Sequence, residues 1–150
     1  MKPEQIINKL RADGVRITPT RQVIVDIFSK SCTPITPGEL LAKLKGSGFY
    51  VNKTTVYREL NFLAGRGLVR EVRLADNETR YESATLDHHH HLFCIKCKKI
   101  NPVKLADGAC LAAMSPKADG FMVTGHSIEM FGICADCQKG KNQKNKEHVC

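Results

Sequence analysis

The sequence predicts an α+β protein of two small domains, the first helical and ending in a β-hairpin, the second a smaller α/β domain. In the first half of the chain, apolar residues recur at helical spacing between capping residues. Two short segments follow, 68–74 and 79–83, in which apolar and polar residues alternate as they do in strands. Beyond them, histidines and cysteines appear in clusters, which marks a second domain of different chemistry.

This change of character near residues 83–87 divides the chain. The predicted domains are residues 1–84 and 85–137. Residues 138–150 form a basic tail that is expected to be disordered, because it is rich in Lys, Asn and Gln and lacks periodicity. The chain of 150 residues has no Trp and few aromatic residues, so neither domain is expected to build a large core. Small cores usually need a crosslink, and seven cysteines could supply one.

Three helices are predicted first, each from a capping signal and an apolar stripe. The first covers residues 3–13 and is followed by Gly14, a residue type that commonly ends a helix. The second begins at Thr18-Pro19 and the third at the capping box Thr36-Pro37-Gly38-Glu39. The expected inward residues are Ile6, Ile7 and Leu10 in the first helix, Val23, Ile24, Ile27 and Phe28 in the second, and Leu40, Leu41 and Leu44 in the third.

A fourth helix and a hairpin complete the first domain. The helix starts near Asn52, and residues 75–78 form the turn between the two alternating segments. The inward stripe of the helix is expected to be Val56, Leu60 and Leu63. Three or four helices followed by a two-stranded ribbon are typical of a winged helix-turn-helix, so this is the predicted fold of residues 1–84.

The second domain is predicted to be a small α/β unit. Residues 100–105 are expected to form a strand and residues 107–118 a short helix. Residues 121–133 are mostly apolar and are expected to form one or two further strands.

The charge balance indicates a partner for the first domain. The net charge is +8, and residues 1–82 carry 14 Lys or Arg against 9 Asp or Glu, whereas residues 83–137 carry 5 of each. A basic first half beside a neutral second half indicates that the first half meets a polyanion. The sequence contains no secretion signal and no apolar run of about 18 residues, so we expect a cytoplasmic protein without membrane contact.

The fourth helix is the second helix of the predicted helix-turn-helix, the one that enters the major groove of double-stranded DNA. Tyr57 can pack on a thymine methyl group, and Arg58 can reach a phosphate or a guanine. Arg16 and Arg21 flank the start of the second helix and suit contacts to the DNA backbone. The candidate DNA-contacting residues of the fourth helix are Asn52, Lys53, Thr54, Thr55, Tyr57 and Arg58. The alternative is a solvated polar helix face with Tyr57 packed locally.

Two CxxC pairs, Cys94-x-x-Cys97 and Cys134-x-x-Cys137, are separated by 36 residues. The two-residue spacer lets both sulfurs of a pair face one metal ion, and four thiolates suit a closed tetrahedral zinc site. The pairs therefore predict structural Zn²⁺. Two disulfides or a redox dithiol are the alternatives, although disulfides are rare in a reducing compartment.

Four consecutive histidines, His88 to His91, precede the first cysteine pair. In an extended segment side chains alternate between faces, so His88 and His90 would point one way and His89 and His91 the other. One short run could thus supply two separate metal sites, with Glu82 and His126 as further ligands. The alternative is a polar hinge whose histidines only form hydrogen bonds.

These motifs, spread over about residues 10–137, resemble the ferric uptake regulator family of metal-dependent transcriptional regulators. The matching residues are Arg16-x-Thr18-x-x-Arg21, Thr55-Val56-Tyr57-Arg58-x-Leu60, Tyr81-Glu82, His88 to His91-Leu92-x-Cys94-x-x-Cys97, Gly120-Phe121, and His126-x-x-x-x-x-Gly132-x-Cys134-x-x-Cys137.

The resemblance implies a homodimeric winged-helix repressor of metal homeostasis genes, with a C-terminal dimerisation domain that holds structural zinc on the four cysteines. It also implies a second, regulatory divalent metal between the two domains that fixes them in a form able to bind operator DNA. Glu82, His89 and His91 look like the ligands of this sensor site. His88, His90 and His126 look like an additional site in the dimerisation domain.

The sequence departs from the family at several metal-binding positions. A histidine common in the loop before the third helix is Pro34 here, and acidic positions fall at Pro102, Ala109 and His90. Imidazole suits zinc, whereas iron and manganese favour mixed shells with carboxylates. The losses therefore favour zinc slightly over iron as the sensed metal, with manganese and an iron- or peroxide-responsive regulator as alternatives.

Cys32 lies two residues before Pro34 in the same loop. Its thiolate could replace the missing histidine and complete a four-ligand sensor site with Glu82, His89 and His91. The alternative is that Cys32 is a small hydrophobic residue of the loop, as free cysteines often are.

Two other classes of protein fit the sequence less well than a regulator does. A thiol-disulfide enzyme would need an accessible thiolate of low pKa at a helix N-terminus, whereas both CxxC pairs are expected in strand–loop knuckles. A zinc-ribbon module that binds only protein would not need the fourth helix or a basic first half. We therefore predict a DNA-binding regulator and no enzymatic activity.

Overall fold

The computed structural model of the protein describes residues 2–104 and 128–140. The predicted helix at 107–118, His126 and the predicted tail beyond residue 140 lie outside these residues. The chain divides into two compact units, with the change between Leu86 and Asp87. The domain limits expected from the sequence, 1–84 and 85–137, stay predictions.

The first unit is a winged helix-turn-helix, as predicted. Its helices are α1 (Pro3–Ala12), α2 (Pro19–Lys30), α3 (Pro37–Gly46) and α4 (Lys53–Gly65), and its strands are β1 (Val69–Arg73) and β2 (Thr79–Ser83). The strands pair antiparallel, with Arg70 opposite Glu82. Ile35, just before α3, bonds through its backbone to Tyr81 of β2 and so ties the helices to the wing.

The helices begin where the sequence places their caps. The hydroxyl oxygen of Thr18 accepts from the Arg21 N–H at 3.1 Å, and the Asn52 side chain accepts from the Thr55 N–H at 2.8 Å. Thr36 and Glu39 form the predicted capping box, each side chain bonding to the other's backbone N–H. Each cap satisfies an N–H group that has no partner inside its helix.

The core of the first unit lies between the four helices and the start of the wing. Of the α2 residues expected inward, Ile24 and Phe28 are buried, but Val23 and Ile27 are only partly buried. Val25, which was not expected inward, is buried because α2 packs against α1, α3 and β2. The fully buried side chains are Leu10, Ile24, Leu40, Leu44, Val56, Leu60 and Leu63.

The described part of the second unit is a small sheet followed by one helical turn. Strands β3 (His90–Cys94), β4 (Ile100–Val103) and β5 (Glu129–Gly132) are followed by the helix α5 (Ala135–Gln138). The strand order is β4-β3-β5, with β3 antiparallel to β4 and parallel to β5. The histidine run is therefore extended from His90 onward, and the predicted strand at 100–105 ends at Val103. Among the described residues, no helix has the length and hydropathy needed to span a membrane.

Candidate functional site

The two CxxC pairs meet at one end of the three-stranded sheet. Cys94 is the last residue of β3, and Cys97 lies in the turn that follows. Cys134 immediately precedes α5 as its N-cap residue, and Cys137 lies within that helix. Because β5 pairs with β3 in register, with Gly132 beside Cys94, the second pair follows directly alongside the first.

The four sulfurs form one compact cluster. Their Sγ atoms all lie within 4.8 Å of one another, and those of Cys97 and Cys134 are 3.6 Å apart. A tetrahedral zinc site with Zn–S bonds of about 2.3 Å has sulfur–sulfur edges of about 3.8 Å, so the spacing fits that ion. All four cysteines are free thiols in the structure. The predicted four-cysteine centre is thus assembled, and the two-disulfide alternative is not.

The pKa values of the thiols favour a cation among the four sulfurs. Burial raises the pKa of the Cys94 thiol, but backbone N–H donors of Cys134, Cys97 and Lys96 outweigh it and lower that pKa to about 6. Burial and the neighbouring thiols raise the pKa of Cys137 to about 12. One sulfur is therefore a thiolate at neutral pH while another resists ionisation. A dication among them would favour the thiolate form of all four.

The backbone around the second CxxC pair differs from the expectation. This pair does not lie in a strand–loop knuckle, because Cys134 is the N-cap residue of the short helix α5. A reactive pair needs an accessible thiolate of low pKa. Cys94 has the lowered pKa but is buried, and Cys137 is buried with a raised pKa. The burial and the pKa values of these two cysteines therefore argue against redox chemistry, although the backbone of the second pair no longer does.

The histidine run alternates as predicted. The rings of His88 and His90 lie 4.7 Å apart and those of His89 and His91 4.8 Å apart, each pair edge to face. His90 and His91 are buried. The Nδ1 atom of His89 lies 2.7 Å from the Asp87 carbonyl oxygen. Since that oxygen can only accept, Nδ1 donates, and the lone pair of the neutral ring is on Nε2, the form in which imidazole binds a metal.

Glu82 of β2 is a buried carboxylate with a basic neighbour. Its side chain is only 2% exposed, and its Oε1 accepts from Arg70 Nε at 2.6 Å across the hairpin. An ionised carboxylate can only accept, so Glu82 is suited to a cation or an arginine. Glu82 belongs to the first unit, and His89 and His91 to the second.

Cys32 is placed differently from the expectation. Its sulfur forms a disulfide bond in the structure, so it offers no thiolate to a metal in this form. The hypothesis that Cys32 replaces the missing sensor histidine therefore lacks the ligand it requires.

The start of α4 is exposed as a groove-reading helix requires. Lys53, Thr54 and Arg58 are exposed, and half of the Tyr57 surface is accessible. Asn52 and Thr55 are engaged with each other, because the Asn52 oxygen accepts from both the N–H and the hydroxyl of Thr55. These two residues therefore stabilise the first turn of α4 through their hydrogen bonds to each other.

The two arginines expected to contact the DNA backbone differ. Arg16 is exposed. Arg21 instead forms a two-bond ion pair with Glu59 of α4, and its Nη1 donates to the Arg16 carbonyl oxygen at 2.8 Å. This arrangement argues against the expected phosphate contact of Arg21, which stays a prediction, since most of its donors already have partners and its side chain is only 13% exposed.

Sequence reasoning missed Glu59 and Arg70, the partners of Arg21 and Glu82. The hairpin gave only a partial signal for Arg70, because the connection at 74–78 sets it opposite Glu82, whereas the predicted turn at 75–78 would set it opposite Ser83. No local pattern indicates Glu59, which lies 38 residues from Arg21.

The chain is similar in sequence to a family of known proteins. The sequence pattern of the ferric uptake regulator family matches residues 12–131. The ferric uptake regulation protein of Campylobacter jejuni is 34% identical over 146 residues, covering 93% of this chain and 88% of that protein. The peroxide operon regulator of Bacillus subtilis is 30% identical over 139 residues, covering 93% and 95%.

A solved structure extends the similarity to the fold. The Helicobacter pylori ferric uptake regulator superposes with a TM-score of 0.78 over 92% of this chain and 95% of that one. The two share 24% sequence identity, so this comparison supports the architecture alone.

Proposed function

Because the chain belongs to the ferric uptake regulator family of metal-responsive transcriptional regulators, we propose that it is a metal-dependent repressor that binds operator DNA as a homodimer. Its relatives are transcription regulators rather than enzymes. The observation that carries the proposal is the exposed start of α4, which offers Lys53, Tyr57 and Arg58 beside a wing.

The experiment is a binding titration with a labelled DNA duplex that the protein itself selects from a random pool. We expect binding when Zn²⁺, Fe²⁺ or Mn²⁺ is added and its loss after mild chelation that leaves the four-cysteine zinc in place. Equal binding with and without the added metal would contradict a metal-dependent repressor.

In the proposed complex, α4 lies in the major groove with its N-terminal residues leading. Tyr57 reads a base edge, and Arg58 and Lys53 reach bases or phosphates. Arg16, exposed in the segment before α2, contacts the backbone.

Tyr57→Ala and Arg16→Ala should therefore have different effects. Tyr57→Ala should weaken binding to the selected duplex by about 1–3 kcal/mol more than binding to a scrambled duplex, because base contacts carry specificity. Arg16→Ala should weaken binding to both and reduce the slope of log K against log salt by about 0.9, the share of one phosphate contact. The measurement is a salt series on both duplexes. If Tyr57→Ala lowered the affinity for the selected and the scrambled duplex equally, Tyr57 would not read a base.

We propose Zn²⁺ as the ion of the four-cysteine centre. Four sulfurs within 4.8 Å, two of them buried, suit an ion with closed tetrahedral thiolate coordination. Bound there, the ion would crosslink β3 to α5 and so stabilise a unit whose described part is a small sheet followed by one helical turn.

We propose a second, regulatory metal on Glu82, His89 and His91. The support is the donor set: an acceptor-only carboxylate, and two histidines whose rings lie edge to face, one with its lone pair on Nε2. His88 and His90, on the other face, would with His126 hold an additional ion. The metal would favour the form of the protein that binds operator DNA, to the extent that it binds that form more tightly.

The donor set slightly favours zinc as the sensed metal. The chain keeps its histidines but lacks several carboxylates that are common in the family, and imidazole suits zinc. An iron- or peroxide-responsive repressor is the second candidate, favoured by the similarity to the B. subtilis peroxide operon regulator over most of the chain. Hydrogen peroxide added to the iron-loaded protein identifies a peroxide sensor, because only a peroxide sensor would lose DNA binding irreversibly. DNA binding measured against free Zn²⁺ and against free Fe²⁺ separates a zinc sensor from an iron sensor.

Arg70 competes with this metal for Glu82. Arg70→Ala should raise the affinity of the regulatory metal by roughly 3- to 10-fold, because it removes a positive charge and a hydrogen bond from the carboxylate that the metal would use, and the partial exposure of Arg70 limits the effect. Arg73→Ala is the matched control, since Arg73 lies on the same strand but pairs with exposed Glu71. Metal affinity is measured by competition with a chelating dye. An affinity unchanged from that of the control would contradict the competition.

The homodimer is proposed to form through the second unit. That unit exposes several large apolar side chains, which isolated soluble domains usually keep covered. These side chains are Leu92, Ile95, Phe131 and Ile133.

A further inference from the structure

Arg21 is the centre of a cluster that joins α2 to α4. Its Nε donates to Glu59 Oε2 at 2.8 Å and its Nη2 to Glu59 Oε1 at 2.9 Å. Its guanidinium also lies 3.9 Å from the ring centre of Phe62, one helical turn beyond Glu59. Its Nη1 donates to the Arg16 carbonyl oxygen at 2.8 Å. We call Arg21, Glu59 and Phe62 the α4 clamp.

The clamp is a geometrically specific interaction. Two parallel N–H···O bonds between planar groups, with an aromatic ring beside the guanidinium, are satisfied at only one orientation of the two helices. Both charged side chains are only 13% exposed, so solvent screens the pair less than it screens a surface ion pair.

We propose that Arg21 is a positioning residue of the DNA interface rather than a DNA contact. It sets the rotation of α4 on α2, and with it the direction in which Tyr57 and Arg58 point into the groove. The inference rests on the proposed DNA-binding function and adds to it the residue that orients the reading helix.

Two further effects follow from the same contacts. Glu59 is the neighbour of Arg58 in the reading helix, and its negative charge would repel phosphates if Arg21 did not neutralise it. The bond from Arg21 to the Arg16 carbonyl holds the backbone of the residue proposed to contact phosphate. Arg21 thus positions both the helix α4, which faces the groove, and Arg16, which faces the DNA backbone.

A phosphate-contacting arginine would behave differently when its partner is changed. If Arg21 contacted DNA, removing the charge of Glu59 would free Arg21 and tighten binding. If Arg21 positions α4, removing the charge of Glu59 breaks the clamp and weakens specific binding, as removing Arg21 does. The sign of the Glu59→Gln effect therefore separates the two roles.

The experiment uses the full chain loaded with metal, the duplex selected by the wild type, and a scrambled duplex of the same composition. For Arg21→Ala and Glu59→Gln we expect specific affinity to fall about tenfold, in the range of one lost base contact. The slope of log K against log salt on the scrambled duplex should change by clearly less than about 0.9, the contribution of one phosphate contact, for both variants. Arg11→Ala is the control for the loss of one positive charge, because Arg11 is an exposed arginine of α1.

Melting temperature is measured on the same samples. A lower melting temperature with an unchanged ratio of specific to scrambled affinity would make the clamp a stability element and overturn the proposal. Tighter binding of the selected duplex by Glu59→Gln, with an unchanged ratio of specific to scrambled affinity, would overturn it in favour of a phosphate contact. If Arg21→Ala does not fold, Arg21→Lys keeps the charge but not the two parallel bonds, and it should still lose specificity. A wild type that enriches no duplex would refute the DNA-binding function itself, an outcome distinct from these.

Discussion

Cys137→Ser should release one zinc ion per subunit and unfold the second unit. The physical reason is that structural zinc binding is folding free energy, about 10–16 kcal/mol in small zinc peptides. Here the cluster joins the end of β3 to α5, and the described sheet has only three short strands. Loss of the ion should therefore cost more free energy than the packing of this small sheet supplies.

The measurements are zinc content by mass spectrometry, far-ultraviolet circular dichroism, and oligomeric state by sedimentation. Cys110→Ser is the matched control because Cys110 belongs to neither CxxC pair, and we expect it to keep its zinc. A Cys137→Ser protein that stays dimeric with wild-type zinc content would refute the four-cysteine centre. Cys94→Ser should behave as Cys137→Ser does, since both sulfurs are buried ligands of the same ion.

His89→Ala should abolish metal-dependent DNA binding while the four-cysteine zinc stays in place. It removes a proposed ligand of the regulatory metal, so the metal no longer distinguishes the DNA-competent arrangement from the others. A metal must favour one state about 10⁴-fold to move a two-state equilibrium from 1:99 to 99:1, and loss of one ligand reduces affinity by at least about 10- to 100-fold. We therefore expect little or no response at metal concentrations that saturate the wild type.

The test is operator binding against free metal concentration, with total zinc measured in parallel. His88→Ala is the contrasting variant, because His88 lies on the opposite face of the same run and should leave the main response in place. An identical loss in both variants would argue against the division of the run into two sites. Loss of the four-cysteine zinc in His89→Ala would show that the variant acts through stability.

Several features of this protein were predictable because their determinants are local. The caps at Thr18, Thr36 and Asn52 each act on an N–H group three residues away, so the sequence alone located the helix starts. The strand β2 and the pairing of alternate histidines follow from the two-residue period of extended chain. The CxxC spacing likewise indicated that each cysteine pair could share one ion.

Other features depended on contacts between distant residues. Only the parallel pairing of β3 with β5 brings the second cysteine pair beside the first. The helix α5 was missed because four residues are too few to show a period. Val25 is buried rather than Val23 because α2 is covered by several neighbours, a situation that a single amphipathic stripe does not describe.

The two arginines before and within α2 show where local reasoning ends. The sequence by itself determined that Arg16 and Arg21 flank the start of a helix in a basic, winged-helix domain. Only the tertiary structure decided that Arg16 is exposed while Arg21 is paired with Glu59, 38 residues away. The reason is physical: a residue type determines which bonds a side chain can make, but the packing of α2 on α4 determines which partner is within reach and which donors remain for DNA.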